Sequence, residues 1–306
     1  MINPFLSLCI PTNGISEWVF PVLDSIYRQG CNNDEFEVVI TDNGNNEKFK
    51  KDIKLYIQKH KNIQYFETTA LPFLNEIESY KRANGELIKF VNHRTKLMSG
   101  ALELLIKYAK NNACNKPITY FSNGVLKLNE KEKICETFDE FVSTLSYWSS
   151  WSTGMTIWKE DFKKIHNYVS GFNELFPHTD VLFSEKNRSS YVINDTVIFD
   201  EIPQGKKPKG TYDLFYAFGV EYPSIILELY RNSSITAKTY QKVAQDNLAF
   251  VAELYFKYFI KKEYCSYDLN GLADMYCVFY KKLELKRALL KVAWNKIKNR
   301  IENKVR

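Results

Sequence analysis

Short apolar segments alternate with amphipathic segments over the first 91 residues, and this alternation constrains the fold more than any other feature. Strands are predicted at residues 6–10, 36–40, 63–66 and 87–91, with helices from about 18 to 29, at 47–59 and at 73–83 between them. A strand that returns through a helix to the same sheet runs parallel to the strand before it. The three crossovers therefore predict an α/β fold with a mixed, mostly parallel sheet flanked by helices.

The first of these helices carries an apolar stripe and one proline. Trp18, Val19, Val22, Leu23 and Ile26 recur at helical spacing. Because proline is tolerated near a helix start, Pro21 predicts that the helix begins close to Trp18.

The pattern changes in the second half of the chain. A helix at 97–110 and strands at 118–122, 154–158 and 191–199 extend the α/β part, and Asp180 is predicted to open an apolar helical run. Beyond a loop rich in Lys and Gly at 203–210, helical periodicity dominates. We therefore expect one domain over residues 1–205 and a helical C-terminal region over 206–306.

The charge distribution argues against a nucleic-acid partner. The net charge is +6, but residues 278–306 hold ten Lys or Arg and two Glu, so the rest of the chain is close to neutral. A duplex-binding surface would place positive charge on the folded body itself. The basic tail is instead typical of an amphipathic helix, which either lies on an anionic membrane or packs on the protein with a solvated basic face.

The cysteines and the apolar runs indicate a cytoplasmic protein. The six cysteines are scattered without a C-x-x-C pair and are interpreted as reduced core residues. No run approaches the roughly 20 apolar residues that span a bilayer, and no basic leader precedes the first apolar run. We expect a cytoplasmic location, with peripheral attachment to the inner face of the membrane as the alternative that the tail leaves open.

Polar residues follow three of the predicted parallel strands. In such sheets ligands bind beyond the carboxyl ends of the strands. The loops after strands 6–10, 36–40 and 87–91 should therefore converge on one crevice, and their polar residues are Pro11-Thr12-Asn13, Asp42-Asn43 and Asn92-His93-Arg94.

Three sequence blocks resemble the family 2 glycosyltransferases of the GT-A fold, of the non-processive bacterial type that builds surface polysaccharides. They are LSLCIPTN at residue 6, EVVITDNG at residue 37 and RANGELIKFV at residue 82. The resemblance implies inverting transfer of a single sugar from a nucleotide sugar, with a UDP-sugar favoured, to a glycan or lipid-linked acceptor. The Gln-x-x-Arg-Trp block of processive synthases is absent from the sequence.

The same resemblance implies a donor site. Pro11, Thr12 and Asn13 would shape the floor of a nucleotide pocket, and Asp42, with Asn43 beside it, would accept hydrogen bonds from the base or the ribose. A plain turn is the alternative for Asp42 and Asn43, since Asp, Asn and Gly dominate turns.

The expected metal motif is missing. Where relatives carry Asp-x-Asp for Mn²⁺ or Mg²⁺, this chain has Asn92-His93-Arg94. Hard cations prefer oxygen ligands, so no cofactor is certain, and His93 is the candidate if a metal binds. Arg94 could hold the diphosphate instead, although it could also cap the next helix. Lys206, Lys207 and Lys209 could add charge or form a solvated linker.

The resemblance places the acceptor chemistry near residue 180. Asp180 would be the catalytic base, with a helix N-cap as its alternative role, and His178 is the second candidate base. Trp148 and Trp151 are predicted to line the acceptor cleft. A different class also stays open, a non-catalytic GT-A-like binding or scaffold subunit of a polysaccharide assembly complex, and the missing carboxylates favour it.

Overall fold

The computed structural model describes residues 3–168, 171–203 and 210–305. The chain divides into two compact units. The first comprises Met1–Phe141 and Trp148–Pro203, and the second comprises Val142–Tyr147 and Gln204–Arg306.

The first unit is built around a five-stranded sheet of order β3-β2-β1-β4-β8. Strands β1 to β4 are parallel, and β8 pairs antiparallel with β4. The predicted mixed, mostly parallel sheet is confirmed. The elements up to β4 are β1 (Leu6–Thr12), α1 (Ser16–Tyr27), β2 (Phe36–Asp42), α2 (Glu47–Ile57), β3 (Ile63–Glu67), α3 (Asn75–Arg82) and β4 (Leu87–Phe90).

Strand β1 occupies the middle of the sheet. Leu6 is in register with Phe36 on one side and with Leu87 on the other, and Leu8 and Ile10 are fully buried. Strands that are covered on both faces have nearly continuous apolar sequences, and residues 6–10 show this pattern. The loop at the carboxyl end of β1 therefore lies between the carboxyl ends of β2 and β4.

A tight turn precedes β4. A Cβ on Gly85 would lie 2.6 Å from the main chain of Leu6 and Ser7, so only glycine fits. The buried Glu37 carboxylate accepts hydrogen bonds from Ser7 Oγ at 2.6 Å, from Gly85 N at 3.2 Å and from Asn84 N. The Asn84-Gly85 part of the third sequence block thus serves the packing of β1 against β4.

The remainder of the first unit contains two small sheets, β5 with β10 and β6-β9-β7. Its elements are β5 (Thr95–Leu97), α4 (Ala101–Asn112), β6 (Ile118–Phe121), β7 (Glu132–Cys135), β8 (Thr156–Trp158), α6 (Lys159–Tyr168), α7 (Pro177–Leu182), β9 (Tyr191–Asn194) and β10 (Phe199–Glu201). Helix α5 (Phe138–Leu145) begins in the first unit, and its residues from Val142 onward belong to the second.

Three predictions for this region were wrong in part. The helix predicted from residue 97 begins at Ala101, because Thr95–Leu97 pairs with Phe199–Glu201 as a strand. The single strand predicted over 191–199 is two strands in different sheets. Asp180 does not open its helix, which begins at Pro177.

Helix α1 also departs from its prediction. The apolar stripe is buried as expected, but the helix begins at Ser16 and encloses Pro21. Pro21 removes one helical hydrogen bond, to the carbonyl of Glu17.

The second unit is helical over the residues described. Its elements are α8 (Leu214–Tyr216), α9 (Tyr222–Arg231), α10 (Ala237–Tyr255), α11 (Leu272–Val278) and α12 (Lys282–Val305), with π-helical turns at Ala217–Glu221 and Phe256–Ile260. Phe215, Val251, Met275 and Leu285 are at the centre of its core. None of the helices in the described part of the chain is both long and apolar enough to cross a membrane.

The cysteines are not all core residues. Cys9 and Cys135 are buried as expected, but Cys114 is exposed. The prediction was therefore wrong for Cys114, which follows the last turn of α4.

Candidate functional site

A cavity of about 610 Å³ opens beside the carboxyl ends of β2 and β3, a volume in the range of small-molecule sites. Residues lining it include Asp42, Gly44, Lys50, Glu67, Thr68 and Arg82. Its two cations are already paired with carboxylates, Lys50 with Glu67 at 3.1 Å and Arg82 with Glu78 at 2.6 Å. Because this charge is neutralised within the wall, the cavity suits an uncharged polar group better than a phosphate.

Asn75 joins the strand ends that form this edge of the sheet. Its Nδ2 donates to the carbonyls of Thr12 at 3.3 Å and Thr41 at 2.8 Å, and its Oδ1 accepts from Thr68 Oγ1 at 2.8 Å. Asn75 is buried, so each of these bonds would be costly to leave unmade. Asn75 is not recognisable from the sequence, because nothing in its local pattern marks partners on three separate strand ends.

Asp42 is buried and held by two donors. Gly44 N donates to Oδ1 at 2.8 Å, and Tyr65 Oη donates to Oδ2 at 2.8 Å. Burial raises the pKa of the Asp42 carboxyl, while the bonds from Gly44 and Tyr65 lower it. Each carboxylate oxygen can accept a further bond, so Asp42 can still bind a donor group of a ligand in the cavity.

The Asp42 loop contacts the loop after β1. Asn43 N donates to the Thr12 carbonyl at 3.1 Å, and Asn43 Nδ2 donates to the Ala70 carbonyl at 3.0 Å. A Cβ on Gly44 would lie 2.1 Å from the carbonyl oxygen of Asn13, so the close approach of the two loops requires glycine. The turn at residues 42–44 therefore also forms part of the cavity wall, to which Asp42 and Gly44 contribute.

Thr12 connects this edge to the loop after β4. Thr12 Oγ1 accepts from Gly14 N at 3.1 Å and lies 2.9 Å from His93 Nδ1. Burial and the neighbouring Arg94 lower the pKa of His93 to about 4, so the imidazole is neutral at pH 7. The structure therefore brings the predicted Thr12 and His93 into contact.

Arg94 has a partner that the sequence did not indicate. Its Nη2 lies 3.3 Å from Glu201 Oε2 on β10, and its guanidinium carbon lies 5.7 Å from the centre of the Trp18 ring. Its Nη1 is buried and has no hydrogen-bond partner within the described residues. Nη1 is therefore a buried donor to which the described part of the protein offers no acceptor.

The residues at the Asp-x-Asp position do not fit a hard divalent cation. Asn92 Oδ1 already accepts from Arg94 N at 3.0 Å, and neither His93 nor Arg94 supplies a carboxylate. Across residues 3–168, 171–203 and 210–305, no three His, Cys, Asp or Glu side chains group as metal ligands. The chemistry of this donor set does not favour Mn²⁺ or Mg²⁺, which prefer several oxygen ligands.

Asp180 lies within the first turn of α7. It is half-buried, and its Oδ2 accepts from Asn173 N at 2.6 Å. This bond holds the loop before α7 and orients the carboxylate.

His178 is enclosed by acceptors. Its Nε2 lies 2.8 Å from the Ser150 carbonyl, its Nδ1 lies 3.3 Å from Glu76 Oε1, and both side chains are about 5% exposed or less. Both ring nitrogens face protein oxygens in a buried environment, so a substrate hydroxyl does not reach them. Glu76, which sequence reasoning missed, therefore pairs with a structural histidine, and the geometry favours Asp180 over His178 as a base.

The two tryptophans lie on the segment that contacts α7. Their rings meet edge to face with centroids 6.2 Å apart, and both are half-buried. Tyr120 Oη donates to the carbonyls of Trp148 and of Trp151, the latter at 2.8 Å. Since Ser149 and Ser150 bond to Thr179 and His178, the structure brings Trp148 and Trp151 near the helix of Asp180. The predicted lysines Lys206, Lys207 and Lys209 lie outside the described residues.

No protein-family model matches this sequence, and no curated protein matches it significantly. Solved structures of TarS from S. aureus do match its fold. The complex of residues 1–349 with UDP-GlcNAc is 16% identical with a TM-score of 0.55, over 94% of this chain and 78% of that one. The corresponding complex with UDP is 16% identical with a TM-score of 0.55, over 91% and 76%.

A longer TarS chain is 16% identical with a TM-score of 0.54, and the match covers 83% of this chain but only 44% of that one. The protein therefore spans less than half of the longer TarS chain. At this level of identity the likeness concerns the fold. The protein has the fold of TarS, a GT-A-like glycosyltransferase, which confirms the GT-A-type fold predicted from the three sequence blocks.

Proposed function

We propose that the protein is an inverting glycosyltransferase, which moves one sugar from a nucleotide sugar to a glycan or lipid-linked acceptor in surface polysaccharide synthesis. The observation that carries this proposal is the cavity beside β2 and β3, with Asp42 in its wall and its cations neutralised. Such a cavity suits the base and ribose of a nucleotide. TarS, which has this fold, has been crystallised with UDP-GlcNAc and with UDP, and this supports a UDP-sugar as donor.

On the donor side, we assign Asp42 to a hydrogen bond with the base or ribose. Pro11, Thr12, Asn13 and Asn43 shape the adjoining floor, which Asn75 keeps in place through its bonds to the strand ends. A hydrogen bond to a carboxylate in a buried crevice discriminates strongly, because a ligand without the matching donor leaves that acceptor unpaired. The pocket would thereby select its nucleotide.

The leaving group needs positive charge that the cavity does not provide. We assign this role to Arg94, whose buried Nη1 has no hydrogen-bond partner among the described residues. Two negative charges develop on the departing nucleoside diphosphate, and a fixed guanidinium beside it would stabilise them as they form. No metal ion enters this step, because Asn92, His93 and Arg94 do not form a fitting ligand set.

On the acceptor side, we assign Asp180 as the base. The acceptor oxygen forms a bond to the anomeric carbon while the bond from that carbon to the diphosphate oxygen breaks, and the hydroxyl proton passes to Asp180. Attack from the face opposite the leaving group inverts the anomeric centre. Trp148 and Trp151 would contact the apolar face of the acceptor sugar.

We assign donor and acceptor binding to residues 1–205 and a supporting role to the helical region 206–306. A lipid-linked acceptor would require work at the inner face of a membrane, and the basic C-terminal helix is the candidate for that contact. The expected location is therefore cytoplasmic with peripheral attachment.

A second candidate function is a non-catalytic subunit that binds a nucleotide sugar in a polysaccharide assembly complex. The absence of carboxylates at Asn92-His93-Arg94 favours it. Both candidates predict donor binding, so only turnover separates them.

The test is a thermal-shift screen of nucleotides and nucleotide sugars, with and without Mn²⁺, followed by a turnover assay on each ligand that binds. A ligand at 100 times its Kd should add about 2.7 kcal/mol of stability. Release of free nucleotide in the presence of an acceptor would support the enzyme, whereas binding without any release would favour the second candidate. Absence of binding by every nucleotide would refute both.

A further inference from the structure

Helix α12 carries two apolar faces. Leu285 and Val292 are buried, and Ala288 and Leu289 pack beside them in the core of the second unit. Four other apolar side chains of the same helix are exposed by 58, 71, 68 and 53%, and we call them the outer stripe: Leu283, Leu290, Trp294 and Ile297. The outer stripe takes no part in this core, so it needs a different explanation.

The outer stripe is continuous along the helix. At 100° per residue its four members fall within about 60° of the helix circumference. Single exposed apolar residues are ordinary on protein surfaces, but a contiguous set that includes a tryptophan marks an interaction surface.

Cations border the outer stripe on both sides. Lys286 and Arg287 each lie about 50° from its centre, on opposite sides, and Lys282 and Lys291 follow them further out. Over 282–298 the sequence has one acidic residue, Glu284, which falls outside these borders. Among the described residues, no carboxylate lies within ion-pair distance of Lys286, Arg287 or Lys291.

We propose that the outer stripe docks on an anionic lipid bilayer. Its leucines and Trp294 would enter the boundary between headgroups and acyl chains, while the bordering cations pair with lipid phosphates. Each Lys or Arg near such a surface strengthens binding by about fivefold. The inner face holds α12 on its core throughout, so the stripe binds as a preformed surface and no helix has to form at the membrane.

A second copy of the chain fits this surface less well. Two outer stripes brought together would join two surfaces that are each bordered by Lys286 and Arg287, and like charges repel. An anionic lipid surface instead places negatively charged phosphates beside the cations on both borders of the outer stripe.

The experiment is flotation of the full chain with vesicles, without donor or acceptor, so that its result is independent of sugar transfer. Vesicles of phosphatidylcholine alone are compared with vesicles that also contain phosphatidylglycerol. The double variant Leu290→Gln/Trp294→Gln removes apolar area and keeps charge, and Lys286→Gln/Arg287→Gln does the converse. The matched controls are Leu55→Gln/Ile134→Gln, which are exposed by 60 and 64%, and Lys48→Gln/Lys51→Gln on α2.

The unaltered chain should float with the phosphatidylglycerol vesicles only, and added salt should weaken its binding. The apolar variant should lose about tenfold or more in partition coefficient, and the charge variant about 25-fold, while both controls bind as the unaltered chain does. No flotation with anionic vesicles, or equal losses in variants and controls, would overturn the proposal. So would self-association in gel filtration that the apolar variant abolishes. If the apolar variant fails to fold, as judged by circular dichroism, the charge variant alone decides.

Discussion

Replacing Asp42 by alanine tests the donor site and separates its two possible roles. In the absence of ligand the variant loses the acceptor for Gly44 N and for Tyr65 Oη, both at 2.8 Å. Two such bonds are worth about 1–3 kcal/mol of unfolding free energy together. Part of this loss is offset because the raised pKa of the carboxyl shows that its charge is poorly solvated.

The loss in ligand affinity has a separate origin. If the carboxylate accepts a bond from the base or ribose, its removal costs about 1–3 kcal/mol of binding, which raises the Kd for UDP by about 5- to 150-fold. Titration calorimetry with UDP measures this change, and urea unfolding without nucleotide measures the change in stability.

Tyr65→Phe is the matched control. It removes one of the two bonds to Asp42 and leaves the carboxylate in place, so the free energy of unfolding should fall by about 0.5–1.5 kcal/mol while the affinity for UDP stays within about twofold. Unchanged UDP affinity in folded Asp42→Ala would refute the assignment. Equal losses of affinity in Asp42→Ala and Tyr65→Phe would show instead that the carboxylate only orders its loop.

Four further results are expected. Asp180→Asn keeps shape and polarity but removes the base, so turnover should fall by about 10²-fold or more with donor affinity retained. Full turnover in this variant would show that another residue is the base. Transfer should continue in EDTA, and Arg94→Ala should reduce turnover more than His93→Ala does; recovery by Mn²⁺ after loss in EDTA would contradict this. Gly85→Ala should lower the free energy of unfolding by about 1–3 kcal/mol, because its Cβ would overlap the main chain of β1, whereas Gly171→Ala has open space and should change it by no more than about 0.5 kcal/mol. Burial lowers the pKa of His93 from 6.5 to about 4, so between these values the unfolded chain binds more protons than the folded chain. The free energy of unfolding should therefore rise as the pH increases from about 4 to 6.5. The urea midpoint of His93→Gln should rise less over this range than that of the unaltered chain.

The central sheet could be predicted because its information is local. Each buried strand is a short apolar run next to an amphipathic helix, and the two periodicities are visible within about ten residues. The carboxyl ends of β1, β2 and β4 follow from the same pattern, which is why the sequence indicates Thr12, Asp42 and His93 as site residues. Thr12 and His93 are in contact, and the roles of all three residues stay predictions.

The missed features depend on distant partners. Strand β5 is only three residues long and exists because it pairs with β10, about 100 residues later. Asn75, Tyr65 and Glu201 contact the site across separate elements, and a single asparagine, tyrosine or glutamate in a helix or strand carries no sign of such a contact. At these positions the conformation and the contacts depend on tertiary structure, so the local sequence pattern does not predict them.

The central position of β1 has a consequence for synthesis of the chain. Its segment leaves the ribosome before β4, which covers one of its two edges and ends at residue 90. At 5–20 residues per second, the interval between Thr12 and Phe90 is about 4–16 s. During that time an apolar strand has an open edge, the kind of edge that pairs with other chains. We therefore expect nascent chains that stall before β4 to be the form of this protein that most needs a chaperone.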